Sequence, residues 1–430
     1  MPSAETGAAL CNRCKTNEAL HTMRNETVCS PCFKSFISLK AVKRLEQLQR
    51  DTRTGGSGSG SGGQGGSSGP PRTQRYLLAL SPGGVSSTAL LSALWENQRQ
   101  QRERGQKVRF ELLVAVVDTE LRGGGGGDDD ETTSAAAAAA ANDEAAFFAR
   151  YAERFPGTQF RRVALEDALG LDTVDWTALP SVDTSLASPA RRLADLLSRL
   201  PSTTSRADVV RLLIRHLLVQ TAVQASCGVV LMGYNTTSLA ELTLSETAKG
   251  RGFAVPWGVN DGWVNLPRVK RLPPRAETAE GEDSATKEEE DKGEIDASVK
   301  MLIYHPLREL FRKELLIYSG LTSPPLTPLL IENGNRSAAV VSHKDLSIDD
   351  VMARYFAEVE ENYPSVVANV VRTTGKLNRA GNVENGSCGL CGLGLDEVGD
   401  ERWRGELGEQ KNESDGRGRL CYGCERSVYG

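Results

Sequence analysis

Hydrophobic and polar positions alternate between strand-like and helix-like spacing through the middle of the chain. Short, continuously apolar runs predict buried strands at Tyr76–Leu80, Phe110–Val117 and Val229–Met232. Apolar positions three or four residues apart predict helices at Ser86–Gln101, Asn142–Arg154, Ala207–Ala225, Leu239–Lys249 and Leu346–Tyr363. This alternation indicates an α/β fold with a Rossmann-like parallel sheet covered by helices, in which ligands bind beyond the carboxyl ends of the strands.

Four polar stretches interrupt this pattern and are predicted to be flexible. The stretch near residues 54–72 is rich in Gly and Ser, and the one near 122–143 is rich in Gly, Asp and Ala. The stretch near 274–298 is acidic, and the one near 396–419 has mixed polar residues. The sequence therefore predicts an N-terminal module with a basic helix over residues 1–50, a Gly/Ser linker over 51–73, an α/β core over 74–380 and a C-terminal module over 381–430.

The net charge of −5 is unevenly distributed along the chain. Residues 276–296 hold ten acidic side chains and two lysines, a net charge of −8, so the rest of the chain carries +3. A modestly cationic body tolerates a polyanionic partner. The chain has no apolar run of 18 residues and no signal-peptide pattern, so we expect no membrane span and a cytoplasmic, reducing compartment.

Eight of the nine cysteines form four CxxC pairs, which are Cys11 with Cys14, Cys29 with Cys32, Cys388 with Cys391, and Cys421 with Cys424. One CxxC turn can place two thiolates on an ion, and two turns complete the tetrahedral four-sulfur shell that zinc prefers. Such a shell leaves no open position for water, so a structural role is predicted. The sequence leaves open which pairs share an ion and whether the metal is zinc or an iron–sulfur cluster.

The first predicted strand runs into a loop that contains two adjacent glycines, with the sequence Ser81, Pro82, Gly83, Gly84, Val85, Ser86, Ser87. Glycines let the backbone approach a phosphate, and the amides of the next helix would point at the anion, although a plain strand-to-helix turn has the same pattern. The loop resembles the Ser-Gly-Gly-x-Asp-Ser signature of the PP-loop ATP pyrophosphatases, which adenylate a carbonyl oxygen and release pyrophosphate. Ser86 stands where that signature has its acidic residue.

Two further segments are similar to PP-loop enzymes that thiolate tRNA. The first, Gly233–Glu241, matches their Gly-His-Asn-x-x-Asp-x-Ala-Glu segment. The second matches their helix with Pro-Leu, Lys-Glu and Tyr, and it comprises His305–Glu309 with Lys313, Glu314 and Tyr318. In the first, Asn235, Ala240 and Glu241 are kept and Tyr234 replaces the histidine. Together with the CxxC pairs, these matches make the chain resemble the second-subunit family of the eukaryotic cytosolic tRNA 2-thiolation complex, a degenerate branch of the PP-loop enzymes.

The resemblance implies a subunit needed to place sulfur on C2 of the wobble uridine, U34, in the tRNAs for lysine, glutamate and glutamine. The partners it implies are a catalytic PP-loop thiolase subunit, tRNA, and a thiocarboxylated ubiquitin-like sulfur carrier, with ATP driving the reaction. A self-sufficient ATP-dependent tRNA sulfurtransferase and a zinc-module adaptor unrelated to tRNA are the alternatives.

Departures from the family pattern favour assembly and tRNA binding over catalysis. Ser86 cannot ligate Mg²⁺ as a carboxylate does, so binding of ATP and Mg²⁺ to this chain stays open. The stretch Ser202–Arg206 lacks the cysteines that catalytic members carry just before the corresponding helix. Cys227, the only core cysteine, opens an apolar strand and is predicted to be a packed thiol.

Two sets of residues are the remaining candidates for binding. The degenerate loop offers nucleotide-binding positions at Ser81, Gly83, Gly84, Ser86 and Ser87. The basic helix after Cys32 and the helix from Ala207 offer tRNA-binding cations at Lys40, Lys43, Arg44, Arg211 and Arg215. Arg211 and Arg215 lie one helical turn apart, a spacing that suits phosphate contact or plain exposure to solvent.

Overall fold

The computed structural model describes residues 9–54, 74–121, 146–268, 298–331, 346–377, 387–395 and 420–430. A short antiparallel hairpin comes first, formed by β1 (His21–Met23) and β2 (Glu26–Val28). The strands of the central sheet follow, in chain order β3 (Gln74–Ala79), β4 (Phe110–Asp118), β5 (Gln159–Ala164), β6 (Val229–Met232), β7 (Gly262–Leu266) and β8 (Val299–Tyr304). They lie side by side in the order β5-β4-β3-β6-β8-β7.

Every neighbouring pair in this sheet is parallel except β7 with β8 at one edge. The predicted α/β class with a mostly parallel sheet is therefore confirmed. β6 has the predicted bounds, and β3 and β4 differ from theirs by one or two residues. No strand was predicted for β5, β7 or β8.

Helices cover the sheet and connect its strands. The described helices are α1 (Ser30–Thr54), α2 (Val85–Glu103), α3 (residues 146–154), α4 (Pro189–Ser198), α5 (Thr203–Gln224), α6 (Thr236–Ala248), α7 (Val255–Val259), α8 (Arg312–Leu321), α9 (Ile348–Asn362), α10 (Pro364–Thr374) and α11 (Tyr422–Tyr429). Side chains of Ser202, Asn235 and Ser347 accept backbone hydrogen bonds at the starts of α5, α6 and α9.

The two faces of the sheet pack against opposite ends of the chain. Alternate strand residues point to opposite faces, so Tyr76 and Leu78 belong to one hydrophobic cluster and Leu77 to another. The first cluster includes apolar residues of α1, α2 and α8 together with Cys11 and Cys29. The second includes residues of α4, α5 and α11 together with all four C-terminal CxxC cysteines. Both termini are thus continuous with the hydrophobic core.

Several predictions concern residues at or beyond the edges of the described chain. The four stretches predicted to be flexible lie outside the described residues except at residues 54 and 298, and α1 continues past residue 50 to Thr54. The boundaries proposed at residues 50, 73 and 380 remain predictions. Among the described helices, none is both long and apolar enough to span a bilayer.

Candidate functional site

The eight paired cysteines assemble into two separate groups. The N-terminal cluster is Cys11, Cys14, Cys29 and Cys32, and the C-terminal cluster is Cys388, Cys391, Cys421 and Cys424. Within each cluster the four Sγ atoms lie within 4.8 Å of one another. The structure therefore joins pairs from the same terminus and excludes the alternative in which N-terminal and C-terminal pairs share an ion.

The first CxxC turn of each cluster has the same backbone design. In the N-terminal cluster, Lys15 N–H donates to the carbonyl of Cys11 at 2.9 Å, and Lys15 has a φ of 54°. In the C-terminal cluster, Gly392 N–H donates to the carbonyl of Cys388 at 2.9 Å, and Gly392 has a φ of 70°. The residue after each turn thus adopts the left-handed conformation that closes the knuckle.

The second CxxC turn of each cluster forms the start of a helix. Cys29 directly precedes α1 and Cys421 directly precedes α11. Phe33 N–H donates to the Cys29 carbonyl and Glu425 N–H to the Cys421 carbonyl, both at 2.9 Å. Cys29 and Cys421 therefore lie at the amide end of a helix, which carries partial positive charge.

The spacing of the sulfurs in both clusters suits a single tetrahedral ion. Four sulfurs bound at about 2.3 Å around one ion lie about 3.8 Å from each other. The Sγ atoms of Cys14 and Cys29 are 3.7 Å apart, and those of Cys391 and Cys421 are 4.0 Å apart. A four-iron cluster would separate the thiolates with its own atoms, so the donor sets fit one mononuclear ion each.

The thiols of each cluster perturb one another's pKa. A hydrogen bond from Thr16 lowers the pKa of Cys14 to about 5, whereas the hydrogen bond with Cys29 raises the pKa of Cys32 to about 12. In the C-terminal cluster, hydrogen bonds with Cys388 raise the pKa of Cys421 and of Cys424 well above the usual range. Four neighbouring thiols ionise together only with a positive charge between them, which a metal ion held by the cluster would supply.

His21 does not join the N-terminal cluster. Its ring lies in β1 and its Nε2 atom hydrogen-bonds the hydroxyl of Ser30 at 2.9 Å. The four thiolates alone form the donor set among the described residues.

The glycine loop connects β3 with α2 at the carboxyl edge of the sheet, where the sequence predicts it. Gly83 has a φ of 68°, and Gly84 N–H donates to the carbonyl of Ser81 at 3.0 Å, which closes a tight turn. The Ser87 hydroxyl accepts a hydrogen bond from Ser81 N–H at 3.1 Å and is buried. The loop is thus held together by its own backbone and serine groups.

The loop and the segment from Gly233 meet at neighbouring strand ends. A Cβ atom on Gly233 would lie 2.8 Å from Cα of Ser87, so only glycine allows this contact. Asn235 caps α6, and its Nδ2 atom donates a hydrogen bond to the Ser86 hydroxyl at 2.8 Å. The two predicted motifs therefore come together, and Ser86 is tied to protein rather than left open.

The outer side of the glycine loop is covered by Ile331. A Cβ atom on Gly83 would lie 2.2 Å from Cγ1 of Ile331, and Ile331 N–H donates to the Gly83 carbonyl at 3.2 Å. The carbonyl of Leu329 in the same segment accepts from the Tyr151 hydroxyl at 3.4 Å. The space beside Gly83, through which a phosphate would approach, is therefore filled by Ile331 of the same chain.

The third motif places His305 directly after β8, at the same edge of the sheet. Asp261, which the sequence analysis missed, accepts hydrogen bonds from His305 N–H at 2.7 Å and from His305 Nδ1 at 3.0 Å. Burial opposes ionisation of Asp261, but the hydrogen bond with His305 and the nearby arginines lower its pKa to about 2. Burial lowers the pKa of His305, which holds the ring neutral beside Asp261. An isolated Asp between α7 and β7 gave no sequence signal for this role.

The basic residues of α1 differ in how far they are engaged. Lys40 Nζ lies 2.6 Å from a carboxylate oxygen of Glu309, and Arg44 pairs with Asp261. Lys43 is exposed, and no carboxylate partner is found for it within the described chain. Of the three α1 candidates for tRNA contact, Lys43 is the one most available to a phosphate.

Arg211, which stays a predicted tRNA-binding residue, has its charge engaged by two carboxylates of the protein. Its Nη2 atom lies 2.6 Å from Glu246 Oε1 and 3.1 Å from Asp208 Oδ1. Arg215 is not simply solvated either, since its Nη2 atom is buried. Two helical positions that resemble a basic surface stripe are therefore partly buried, and Arg211 faces acidic groups of the protein.

Comparisons with known proteins agree over most of the chain. A family model described as cytoplasmic tRNA 2-thiolation protein 2 matches residues 347–414. Proteins of that name from Phaeosphaeria nodorum and Sclerotinia sclerotiorum are 32% and 34% identical. The first alignment covers 100% of this chain and 97% of the relative, and the second covers 85% and 82%.

Among the solved structures that align is a U34-tRNA thiolase from Methanococcus maripaludis, described with its [4Fe-4S] cluster. The alignment covers 90% of this chain and 92% of the thiolase chain, with 13% sequence identity and a TM-score of 0.47. A TM-score below 0.5 is too low to carry over the properties of that enzyme.

Proposed function

The chain belongs to the family of cytoplasmic tRNA 2-thiolation protein 2, and from that membership we propose that it is a structural, tRNA-binding subunit required for 2-thiolation of U34 in the tRNAs for lysine, glutamate and glutamine. The chemistry is carried out by a catalytic PP-loop partner in a heterodimer. That partner uses ATP and sulfur from a thiocarboxylated ubiquitin-like protein.

The engagement of the glycine loop with its own chain is the observation that carries the non-catalytic assignment. Ser86 stands at the acidic position of the PP-loop signature, and its hydroxyl accepts a hydrogen bond from Asn235 at 2.8 Å. Ile331 lies against Gly83. A loop without a carboxylate and with its glycine covered is poorly suited to hold Mg²⁺ and pyrophosphate.

The position of the remaining core thiol supports the same assignment. Cys227 is 4% exposed and precedes β6, so it lies at the amino edge of the parallel strands. Reacting groups in such sheets lie beyond the carboxyl edge. Burial raises the pKa of Cys227, which further suppresses its nucleophilicity. The start of α5, at Ser202 and Thr203, offers hydroxyl groups instead of thiols.

Each cysteine cluster holds one zinc ion with a structural role. Four thiolates and a tetrahedral spacing match the preference of zinc and leave no position for a water nucleophile. The helix that follows the N-terminal cluster presents Lys43 to solvent, and this helix face contributes to the tRNA-binding surface.

The first test measures 2-thiouridine in bulk tRNA by mass spectrometry of digested nucleosides, in cells of the source organism with and without this chain. Loss of the thiolated wobble nucleoside, with accumulation of its unthiolated precursor, is expected. Unchanged thiolation would overturn the proposal and favour a zinc-module adaptor unrelated to tRNA.

The second test separates a structural subunit from a self-sufficient sulfurtransferase. The isolated chain with ATP and tRNA should release no pyrophosphate. In the complete complex, Ser86→Ala should leave thiolation close to that of the unaltered complex, because Ser86 serves only its hydrogen bond with Asn235. Pyrophosphate release by the isolated chain, or a large loss of thiolation in a stably folded Ser86→Ala complex, would support catalysis by this chain.

A further inference from the structure

The C-terminal cluster lies against a fully buried arginine. Arg251 is 0% exposed, and its Nη1 atom lies 3.7 Å from the Sγ atom of Cys424, within hydrogen-bond distance for sulfur. A Cβ atom on Gly423 would lie 2.4 Å from Cγ of Arg251. Glycine inside the second CxxC turn therefore lets the guanidinium approach the thiolates.

Two buried carboxylates fix the orientation of this guanidinium. Arg251 Nε donates to Glu246 at 2.8 Å, and Arg251 Nη2 donates to Asp208. Asp208 is 0% exposed and also accepts a hydrogen bond from the Ser427 hydroxyl of α11 at 2.7 Å. Since carboxylates hold the Nε and Nη2 sides of the planar guanidinium, its Nη1 atom is directed at Cys424.

The charges in this interior network balance one another. The three carboxylates are those of Asp208, Glu246 and Asp349, and the three cations are Arg211, Lys249 and Arg251. Each cation lies within 4.0 Å of at least one of these carboxylates. The network alone therefore leaves no excess positive charge for the thiolates.

Arg215 supplies a further positive charge on the same side. It makes no ion pair within the described residues, and its Nη2 atom is buried without a hydrogen-bond partner. The next residue, His216, donates from Nε2 to the carbonyl of Leu390 at 2.9 Å, which places this part of α5 against the first turn of the cluster.

Four thiolates around a divalent ion carry a net charge of −2, and all four cysteines of the C-terminal cluster are buried. Buried charge is costly unless it is compensated. We propose that Arg251 and Arg215 are outer-sphere residues of the metal ion in the C-terminal cluster, with Arg251 donating N–H to the Cys424 sulfur and Arg215 adding an unpaired positive charge on the helix that contacts the first turn of the cluster. The inference rests on the metal occupancy proposed above.

The decisive test compares Arg215→Met with Arg206→Met in the zinc-loaded full chain. Arg206 lies on the same helix and is exposed, so both variants lose one charge but only the first loses it where the helix contacts the cluster. A chelator and a thiol-alkylating reagent are added together, and peptide mass spectrometry follows each cluster separately. Loss of an outer-sphere partner of a metal ligand typically weakens metal binding by about 10-fold to 100-fold.

In Arg215→Met, we expect alkylation of the C-terminal cysteines to accelerate about 10-fold or more, with the N-terminal cluster unchanged. Arg206→Met should match the unaltered chain. Equal C-terminal rates in both variants would overturn the proposal. If zinc does not slow C-terminal alkylation even in the unaltered chain, the metal occupancy has failed rather than the outer-sphere assignment.

Arg251 needs a spectroscopic readout because its removal also leaves Asp208 and Glu246 uncompensated. Arg251→Lys keeps the charge but loses the guanidinium fork. In the cobalt-substituted chain, loss of the N–H to sulfur bond should shift the thiolate-to-cobalt charge-transfer band to lower energy. An unchanged band in folded Arg251→Lys would remove Arg251 from the assignment, and if that variant does not fold, Arg215→Met decides alone.

Discussion

The N-terminal and C-terminal clusters share one local design and differ in their surroundings. Each combines a knuckle with a left-handed residue after it, Lys15 or Gly392, and a second CxxC turn at the start of a helix. In the N-terminal cluster, Cys14 and Cys32 are partly exposed, whereas all four C-terminal cysteines are buried. Ligand spacing therefore determines the metal shell, while the packing around it determines how the shell is protected.

The attachments of the two clusters differ in the same way. The N-terminal module adds exposed polar contacts to its apolar packing on the core, including Arg24 to the carbonyl of Glu309 at 2.7 Å and Lys40 to the Glu309 carboxylate at 2.6 Å. The C-terminal cluster is attached through the buried pair of Arg251 and Asp208. We infer that the first metal centre lies at the partly exposed margin of the core and that the second is enclosed within it.

Loss of one ligand from each cluster should give the largest difference between them. Cys391→Ser removes one of the four ligands of the buried C-terminal cluster, so we expect global unfolding with a loss of at least about 3 kcal/mol. Cys14→Ser should loosen residues 9–33 and leave the sheet folded, because α1 packs on α2 and α8 independently of the metal. Hydrogen exchange across the chain distinguishes local from global opening, and equal loss of protection in both variants would contradict the comparison.

Gly392→Ala should have the next largest effect. A Cβ atom there would lie 2.5 Å from Cδ2 of buried Leu266, and the φ of 70° disfavours any side chain. Left-handed strain and overpacking together predict a destabilisation of about 2 to 4 kcal/mol. Thermal unfolding of the zinc-loaded chain measures it, with Gly394→Ala as the control because nothing lies within 4 Å of a Cβ atom at Gly394. A similar loss in the control variant would show that proximity to Leu266 is not the cause.

Mild acid should weaken the C-terminal side of the fold through His216. Its Nε2 atom donates to Leu390 and its Nδ1 atom accepts from the Thr173 hydroxyl at 2.8 Å, so the ring is neutral. Burial lowers the pKa of His216 from 6.5 to about 4. The unfolded chain then binds a proton below pH 6.5 while the folded chain does not, so stability is full above pH 6.5 and falls as the pH decreases toward 4.

At pH 5 this difference amounts to about 2 kcal/mol. His216→Gln loses hydrogen bonds at every pH but should remove this part of the pH dependence. The measurement is the free energy of unfolding at pH 5 and pH 7.5 for both chains. If the two chains lose stability in parallel between these pH values, the acid sensitivity lies elsewhere, for example in protonation of the metal ligands.

The sequence predicted the parts of the fold that rest on strong local patterns. The apolar run at Val229–Met232 became β6 with the predicted bounds. The edge strand β5 was missed because Arg161 and Arg162 interrupt its apolar positions. The helix predicted to end near Pro364 does end there, but the same proline starts α10, where its missing N–H costs nothing.

In the candidate sites, too, local spacing predicted the residues, and tertiary structure was needed to show which of them meet. The CxxC spacing predicted eight thiolate ligands, but only tertiary structure could show which pairs meet. Asp208 and Arg251 lie 43 positions apart and form a buried pair, and nothing in their local sequence distinguishes them from surface residues. Arg211 resembled a residue available to phosphate because helical periodicity does not reveal what packs on that face.

The smallest expected effect tests the shared knuckle design from the N-terminal side. Lys15 is exposed and adopts the left-handed conformation that Gly392 adopts in the other cluster. That conformation costs a side-chain-bearing residue about 1 to 2 kcal/mol, part of which the extra freedom of glycine in the unfolded chain offsets. Lys15→Gly should therefore slow chelator-driven metal loss from the N-terminal cluster and add less than about 1 kcal/mol of stability. Faster metal loss would mean that the Lys15 side chain stabilises the knuckle, and the equivalence of the two turns would then hold for the backbone alone.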